Sequence, residues 1–220
     1  LKNKIEFFKQ FLMESRWELF KKLIEDRTKY ITVVLEDIYQ SQNASAVLRT
    51  CDCFGIQDVH IIENENLFKI NPDVVLGSSK WLSLFQYNSQ ENNTLSAIQK
   101  LKEKGYRIVA TTPHINDVEL NDFDYEKGKF ALFFGSELPG LSRLVLDNAD
   151  EYIKIPMVGF TESFNISVSA AIILHHLTYK LKKSETDWKL SEREKNEILY
   201  NWLKTSLKDS DLIEKEFYKR

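Results

Sequence analysis

One arginine stands out among residues whose chemistry exceeds what packing needs. In "NASAVLRTCDCFG" (43–55), Ala44, Val47, Leu48, Cys51 and Phe54 share one side of a helix at 3.6-residue spacing. Arg49 points elsewhere, among the short side chains of Ser45, Ala46, Asp52 and Cys53. A guanidinium so placed has two uses. It forms an i,i+3 surface pair with Asp52, or it waits as a fixed cation for an incoming anion. Asn43 offers its side-chain oxygen as the helix cap, and Gly55 suits the stop.

Three loops concentrate the remaining chemistry: "ATTPH" (110–114), "GSELPGLS" (135–142) and "IPMVGFTESFNIS" (155–167). Each follows a strand-like apolar run, and ligands of open parallel sheets bind beyond the carboxyl ends of strands. These loops present main-chain N–H and C=O groups with few bulky obstructions, which suits a nucleoside. Gly135 and Gly140 permit positive φ or close backbone approach. Glu137 reads either as a ligand contact or as an anion at the start of the helix in "LSRLVL". Ser163 and Asn165 sit at a helix start, where capping is the default role.

Several chemistries are disfavoured by what is missing. Neither G-x-G-x-x-G nor G-x-x-x-x-G-K-S/T occurs, so a dinucleotide or nucleoside triphosphate site is not expected. No G-x-S-x-G supports a serine hydrolase. The four histidines form no H-E-x-x-H, and His175 and His176 splay as helix neighbours, so no metal site is expected. Cys51 and Cys53 form no C-x-x-C pair and fit a reducing compartment.

Around these residues the chain alternates short apolar runs with helical patterns. Strands are expected at "YITVVLEDI", "VHIIE", "LSLFQY", "YRIVATT", "KFALFFG" and "EYIKIP". Helices are expected at 2–25, 43–55, 91–104, 142–148 and 165–183. That alternation predicts an α/β fold: a parallel sheet covered by helices on both faces. Residues 184–190 read as a linker to a last helix, where Ser191 and Glu194 carry a capping-box signature.

The 220 residues suffice for one core with terminal additions, and their net charge is −3. The charge is unevenly spread. Residues 1–30 hold eight Lys/Arg against five Asp/Glu, residues 176–220 eleven against nine, and 31–175 eleven against nineteen. An acidic body with basic arms suits either a polyanion gripped by the arms or simply lysine-rich solvated helix faces. Lys2, Lys4, Lys9, Arg16, Lys21, Lys22, Arg27 and Lys29 are the N-terminal candidates. No apolar run reaches membrane-spanning length and no secretory signal is visible, so the expectation is a cytoplasmic protein.

Together these pieces resemble the SpoU-type branch of the SPOUT RNA 2′-O-methyltransferases. The family motif N-x-x-A-x-x-R-T-x-x-x-x-G matches Asn43, Ala46, Arg49, Thr50 and Gly55. G-x-E-x-x-G-L-S matches Gly135, Glu137, Gly140, Leu141 and Ser142. I-P-M-x-G-x-x-x-S-L-N-x-S matches Ile155, Pro156, Met157, Gly159, Ser163, Asn165 and Ser167, followed by Ala170 and Ala171. Phe164 replaces the usual Leu, and Leu138 stands where many members have Gly. Within the family the chain is most similar to members that methylate guanosine 18 of tRNA, through "GSSKWLSL" (77–84), the N-terminal arm and the helix around Trp202 and Leu203. Ribosomal-RNA relatives usually carry a separate globular RNA-binding domain ahead of the catalytic one, and residues 1–30 are too few to hold it.

The resemblance implies S-adenosylmethionine-dependent methylation of a ribose 2′-OH of tRNA, at guanosine 18. It also implies a C-terminal trefoil knot, where chain-topology rules alone predict an unthreaded sheet. The implied division is a helical RNA-binding arm (1–28), a SPOUT domain (29–183) and a helical C-terminal extension (184–220). S-adenosylmethionine would contact Thr111, Thr112, His114, Gly135, Glu137, Gly140, Ile155, Met157, Phe164 and Asn165, with Leu132 a further adenine neighbour. Arg49 would be catalytic, with Asn43, Ser163 and Asn165 orienting it, the ribose and the cofactor loop. Arg49 acts either as base or electrostatically, and the persistent charge of a guanidinium favours the second. A homodimer is implied, with Arg49 near the partner subunit's ligand loop. The competing readings are the same chemistry on ribosomal RNA or another tRNA position, a catalytically silent RNA-binding protein, and an α/β enzyme for a small molecule.

Overall fold

The structure is a computed structural model that describes residues 1–112, 118–136 and 139–219. Its described residues cluster in two compact units, one of 29–188 and one that joins 1–28 with 189–220.

The larger unit is built on seven strands: β1 (Ile31–Glu36), β2 (Asp58–Ile62), β3 (Ser83–Tyr87), β4 (Arg107–Thr111), β5 (Val118–Glu119), β6 (Phe130–Phe134) and β7 (Glu151–Lys154). They run in the order β3-β2-β1-β6-β4-β7-β5, and every pairing is parallel. The central runs "ITVVLE" and "FALFF" are buried on both faces, as the absence of polar alternation in β6 requires. Val33, Leu35, Leu132 and Phe134 pack on one side, while Val34, Ala131 and Phe133 pack on the other.

The first side is covered by α3 (Ser41–Cys53) and α7 (Ile166–Lys183), which pack against each other. Ala44, Val47, Leu48 and Cys51 of α3 are buried as expected, and Phe54 is partly buried against the same core. The helix stops with Gly55 donating to the Asp52 carbonyl and Ile56 to that of Cys51, at 3.2 and 2.9 Å. On the second side lie α5 (Asn93–Glu103) and α6 (Arg143–Asn148). A short helix, α4 (Pro72–Val75), and a 3₁₀ turn at Ser78–Trp81 precede β3. Neither of these, nor β5, is anticipated by periodicity.

Some local expectations are corrected. Gln40, not Asn43, is the residue capping α3, and no side chain caps that helix. Ser45 is not on the solvent face: it is buried, its hydroxyl accepting the Asn71 N–H at 2.7 Å. Residues 184–190 are no free linker, because Trp188 and Leu190 are buried. The boundary between the units falls after Trp188.

In the terminal unit the expected single helix over 2–25 is two, α1 (Lys2–Lys9) and α2 (Glu14–Ile24), and the C-terminal part supplies α8 (Glu192–Ser206) and α9 (Ser210–Phe217). The Ser191–Glu194 capping box is present. The unit's core is aromatic: Phe8 meets Tyr200 edge-on at 5.3 Å and Phe20 meets Trp202 at 5.4 Å. Glu214 accepts from Lys4, Tyr200 and Lys204 at 2.8, 2.7 and 2.9 Å, and these bonds hold its carboxyl down to about 2. Of the eight N-terminal cations, Lys4 is thus engaged and Arg27 is buried over the Trp202 ring.

Candidate active site

The carboxyl ends of β4, β6 and β7 open into a cavity of about 340 Å³. All three loops singled out in the sequence contribute to it: Thr111 and Thr112 at the end of β4, Gly135, Ser136, Pro139, Gly140 and Leu141 after β6, and Ile155, Met157, Ser163 and Phe164 after β7. Phe134, Leu146, Lys154 and Ser169 are also part of its wall. Among the described lining residues Lys154 is the one with a charged side chain. Lys154 and Ser169 carry no motif signal, but Lys154 ends a strand and Ser169 lies on the first turn of α7, where ligand contacts concentrate.

The loops are tight for identifiable reasons. A Cβ on Gly135 would collide with the carbonyl of Gly140 and the amide of Leu141, so only glycine permits this approach. The loop closes on itself, with Gly140 N–H donating to the Ser136 carbonyl at 3.0 Å. The Thr111 hydroxyl is turned inward, donating to the Phe133 carbonyl at 2.7 Å. Thr112 N–H donates to the Ile153 carbonyl at 3.1 Å, joining two of the loop bases.

Asn165 does more than line up with a motif. Its Oδ1 accepts from the N–H and hydroxyl of Ser167 at 2.9 and 2.6 Å, capping α7. Its Nδ2 donates to Asn43 Oδ1 at 3.2 Å. Asn43 in turn donates from Nδ2 to Gln40 Oε1 at 3.2 Å. The first and third motifs are therefore in contact through two amides.

Arg49 is exposed on α3 and makes no ion pair among the described residues, so the pair with Asp52 is not formed. It does not line the cavity of its own chain, and neither does Asn43. Asn165 is likewise outside the cavity lining, although Ser163, Phe164 and Ile166 are in it. Leu132 is fully buried within β6 and is not among the residues lining this cavity. His114 and Glu137 lie outside the described residues. No group of metal-ligating side chains occurs among the described residues.

Residues 30–175 match the model of the SpoU rRNA Methylase family. The chain belongs to the SpoU rRNA methylase family. The tRNA (guanosine(18)-2'-O)-methyltransferase of Borreliella burgdorferi is 44% identical to this SpoU-family chain over 212 residues, covering 96% of it and 95% of that protein. Among solved structures, the TrmH/SpoU tRNA modifying enzyme of A. aeolicus superposes with a TM-score of 0.77 at 30% identity, over 88% of this chain and 98% of that one. AviRb of Streptomyces viridochromogenes, a SpoU methyltransferase solved with AdoMet, shares the fold at 21% identity and a TM-score of 0.61, over 74% of this chain and 62% of that one. The expected parallel sheet covered by helices on both faces is the one observed.

Proposed function

We propose that this chain methylates the ribose 2′-OH of guanosine 18 in tRNA, using S-adenosylmethionine. The observation that carries the reading is the convergence on one cavity of the second and third motif loops and the loop after β4, in a chain nearly as long as its guanosine-18 relative. The cavity fits such a ligand in kind: its walls are backbone amides and carbonyls, threonine and serine hydroxyls and apolar side chains, with a close backbone approach at Gly135. Thr111, Thr112, Gly135, Gly140, Ile155, Met157 and Phe164 would hold it, with His114 and Glu137 assigned by motif alone. Bound there, S-adenosylmethionine supplies a methyl group already made electrophilic by its sulfonium, so no metal is called for.

The chain's own task is to present the 2′-oxygen and to manage its charge. A guanidinium is a poor base, so Arg49 serves as an electrostatic group: it grips the phosphate beside the target ribose and stabilises the developing alkoxide. Asn43, Asn165 and Ser163 orient the helix starts and the loop on either side. The active form is a homodimer, because Arg49 stands clear of its own cavity while Val158 and Phe160 of the 155–165 loop are fully exposed. The terminal unit binds the RNA through its exposed cations. The trefoil knot of the family and a cytoplasmic location belong to the same reading. No helix among the described residues is long and apolar enough to cross a membrane.

Transfer of labelled methyl from S-adenosylmethionine to unmodified tRNA, followed by nucleoside mapping, tests this. Label on the 2′-oxygen of guanosine 18 is expected. Label on ribosomal RNA or on another nucleotide would redirect the assignment, and absent cofactor binding would favour a silent RNA-binding protein.

A further inference from the structure

We infer that Glu36 is a positioning residue that sets the far wall of the cofactor cavity, by fixing the end of the 135–142 loop through the bonds its carboxylate accepts. The inference rests on the S-adenosylmethionine reading of that cavity. Glu36 lies outside all three motifs, at the last position of β1, and is 2% exposed. A carboxylate so buried persists only where its oxygens are satisfied.

They are satisfied entirely by donors. Oε1 accepts from the hydroxyls of Thr94 and Ser142, both at 2.7 Å, and Oε2 accepts from the Ser142 N–H at 2.8 Å. The directions follow from the outer partners. The Thr94 oxygen already accepts from Asn64 Nδ2 at 2.8 Å, so its hydrogen turns to Glu36. The Ser142 oxygen accepts from Val145 N–H as the cap of α6, so its hydrogen does the same. A neutral amide in place of the carboxylate would set its NH₂ against the Ser142 N–H in one orientation, and in the other would leave the hydrogens of both hydroxyls without this acceptor.

Two of these three bonds end on Ser142, directly after Gly140 and Leu141, which line the cavity. The loop is thus held at one end by the Ser136–Gly140 closure and at the other by Glu36. The third bond leads away, to Thr94 in the first turn of α5. Glu36 therefore joins the strand ahead of the arginine helix to the loop of the second motif, without itself touching the cavity.

The test measures S-adenosylmethionine binding by calorimetry and KM for each substrate in Glu36→Gln, Ser142→Ala and Thr94→Val. Glu36→Gln is expected to raise Kd and KM for S-adenosylmethionine by about tenfold or more, with KM for tRNA unchanged. Ser142→Ala should give a smaller rise. Thr94→Val removes a hydroxyl from the same carboxylate but not from the loop, and should leave the cofactor KM within about twofold. Should Glu36→Gln not fold, the Ser142→Ala and Thr94→Val pair decides: a rise confined to Ser142→Ala supports the role, and equal effects overturn it. Normal cofactor affinity in folded Glu36→Gln overturns it also. A wild-type chain that binds no S-adenosylmethionine removes the cavity reading, and the inference with it.

Discussion

Asn165 and Asn43 meet amide to amide across two helix starts, Nδ2 of the first donating to Oδ1 of the second at 3.2 Å. The polarity is set from both ends, since Asn165 Oδ1 is occupied by Ser167 and Asn43 Nδ2 by Gln40. Asn43→Asp keeps the acceptor and should preserve the link, whereas Asn43→Leu leaves a donor facing hydrocarbon and should cost about 1–3 kcal/mol. Asn165→Ala loses the cap as well, about 1 kcal/mol. Urea denaturation of the single and double variants should yield a coupling above about 0.5 kcal/mol. Additive effects would mean that the two amides do not interact in solution.

Arg49 supports nothing in its own fold, being exposed and without an ion pair among the described residues. Arg49→Ala should therefore change stability by less than about 0.5 kcal/mol. Cofactor binding should stay within a few-fold, while methyl transfer falls by about a hundredfold or more. Arg49→Lys should recover little, because a lysine lacks the planar fork. Near-normal turnover in the alanine variant would take Arg49 out of the mechanism.

At Gly135 the added methyl meets backbone, which cannot swing aside as a side chain can. Gly135→Ala should cost about 1–3 kcal/mol and weaken cofactor binding. Gly159 makes the comparison, since a Cβ there comes no nearer than 3.9 Å to other atoms. Gly159→Ala should be tolerated within about 0.5 kcal/mol. Equal melting temperatures for the two variants would contradict the close approach at Gly135.

His60 on β2 should make stability pH-dependent. Its ring stacks on Phe85 at 4.8 Å, its Nδ1 lies 2.8 Å from the Tyr87 hydroxyl, and burial, aided by the Lys104 charge, holds its pKa down to about 3. The unfolded chain takes up this proton near pH 6.5, ahead of the folded one. The contribution of neutral His60 is therefore present above pH 6.5 and is lost as pH falls from there toward 3, at up to about 1.4 kcal/mol per pH unit. Unfolding free energies between pH 6.5 and 5.5 should show this slope, and His60→Asn should flatten it. An unchanged slope would place the titration elsewhere.

In the terminal unit, Lys2, Arg16 and Lys22 are exposed, whereas Lys4 is held by Glu214 and Arg27 is buried. Reversing the first three to Glu should lower tRNA affinity and reduce the slope of log K against log salt by up to about three charges' worth. Deleting residues 1–25 is a poorer test, because it strips Phe8 and Phe20 from Tyr200 and Trp202. An unaltered salt slope in the triple variant would exclude this unit from RNA binding.

Much of the fold was legible because the interior strands announce themselves. "ITVVLE" and "FALFF" can be nothing but buried on both faces, and a chain alternating such runs with amphipathic helices has few parallel-sheet solutions. The expected stop of α3 at Gly55 is also where its closing bonds lie. Its start was misplaced because Asn43 is a strong cap by type, yet its amide is used sideways, toward Asn165 and Gln40. Such a tertiary use leaves no local mark. The break between α1 and α2 carries no Gly or Pro, and β5 is only two residues long, below the reach of any period. Three site loops were visible through their glycines and short polar residues. Glu36 was not, since it reads simply as the polar end of an apolar strand.

A unit made of residues 1–28 and 189–220 imposes an order on synthesis. The helices of residues 2–24 leave the ribosome long before α8, with Phe8 and Phe20 lacking the aromatic partners that α8 supplies. Everything between must be made before that surface is closed, so the nascent chain carries an apolar face throughout elongation. A message cut short anywhere ahead of α8 yields a product recognisable as incomplete, because its first helices stay sticky.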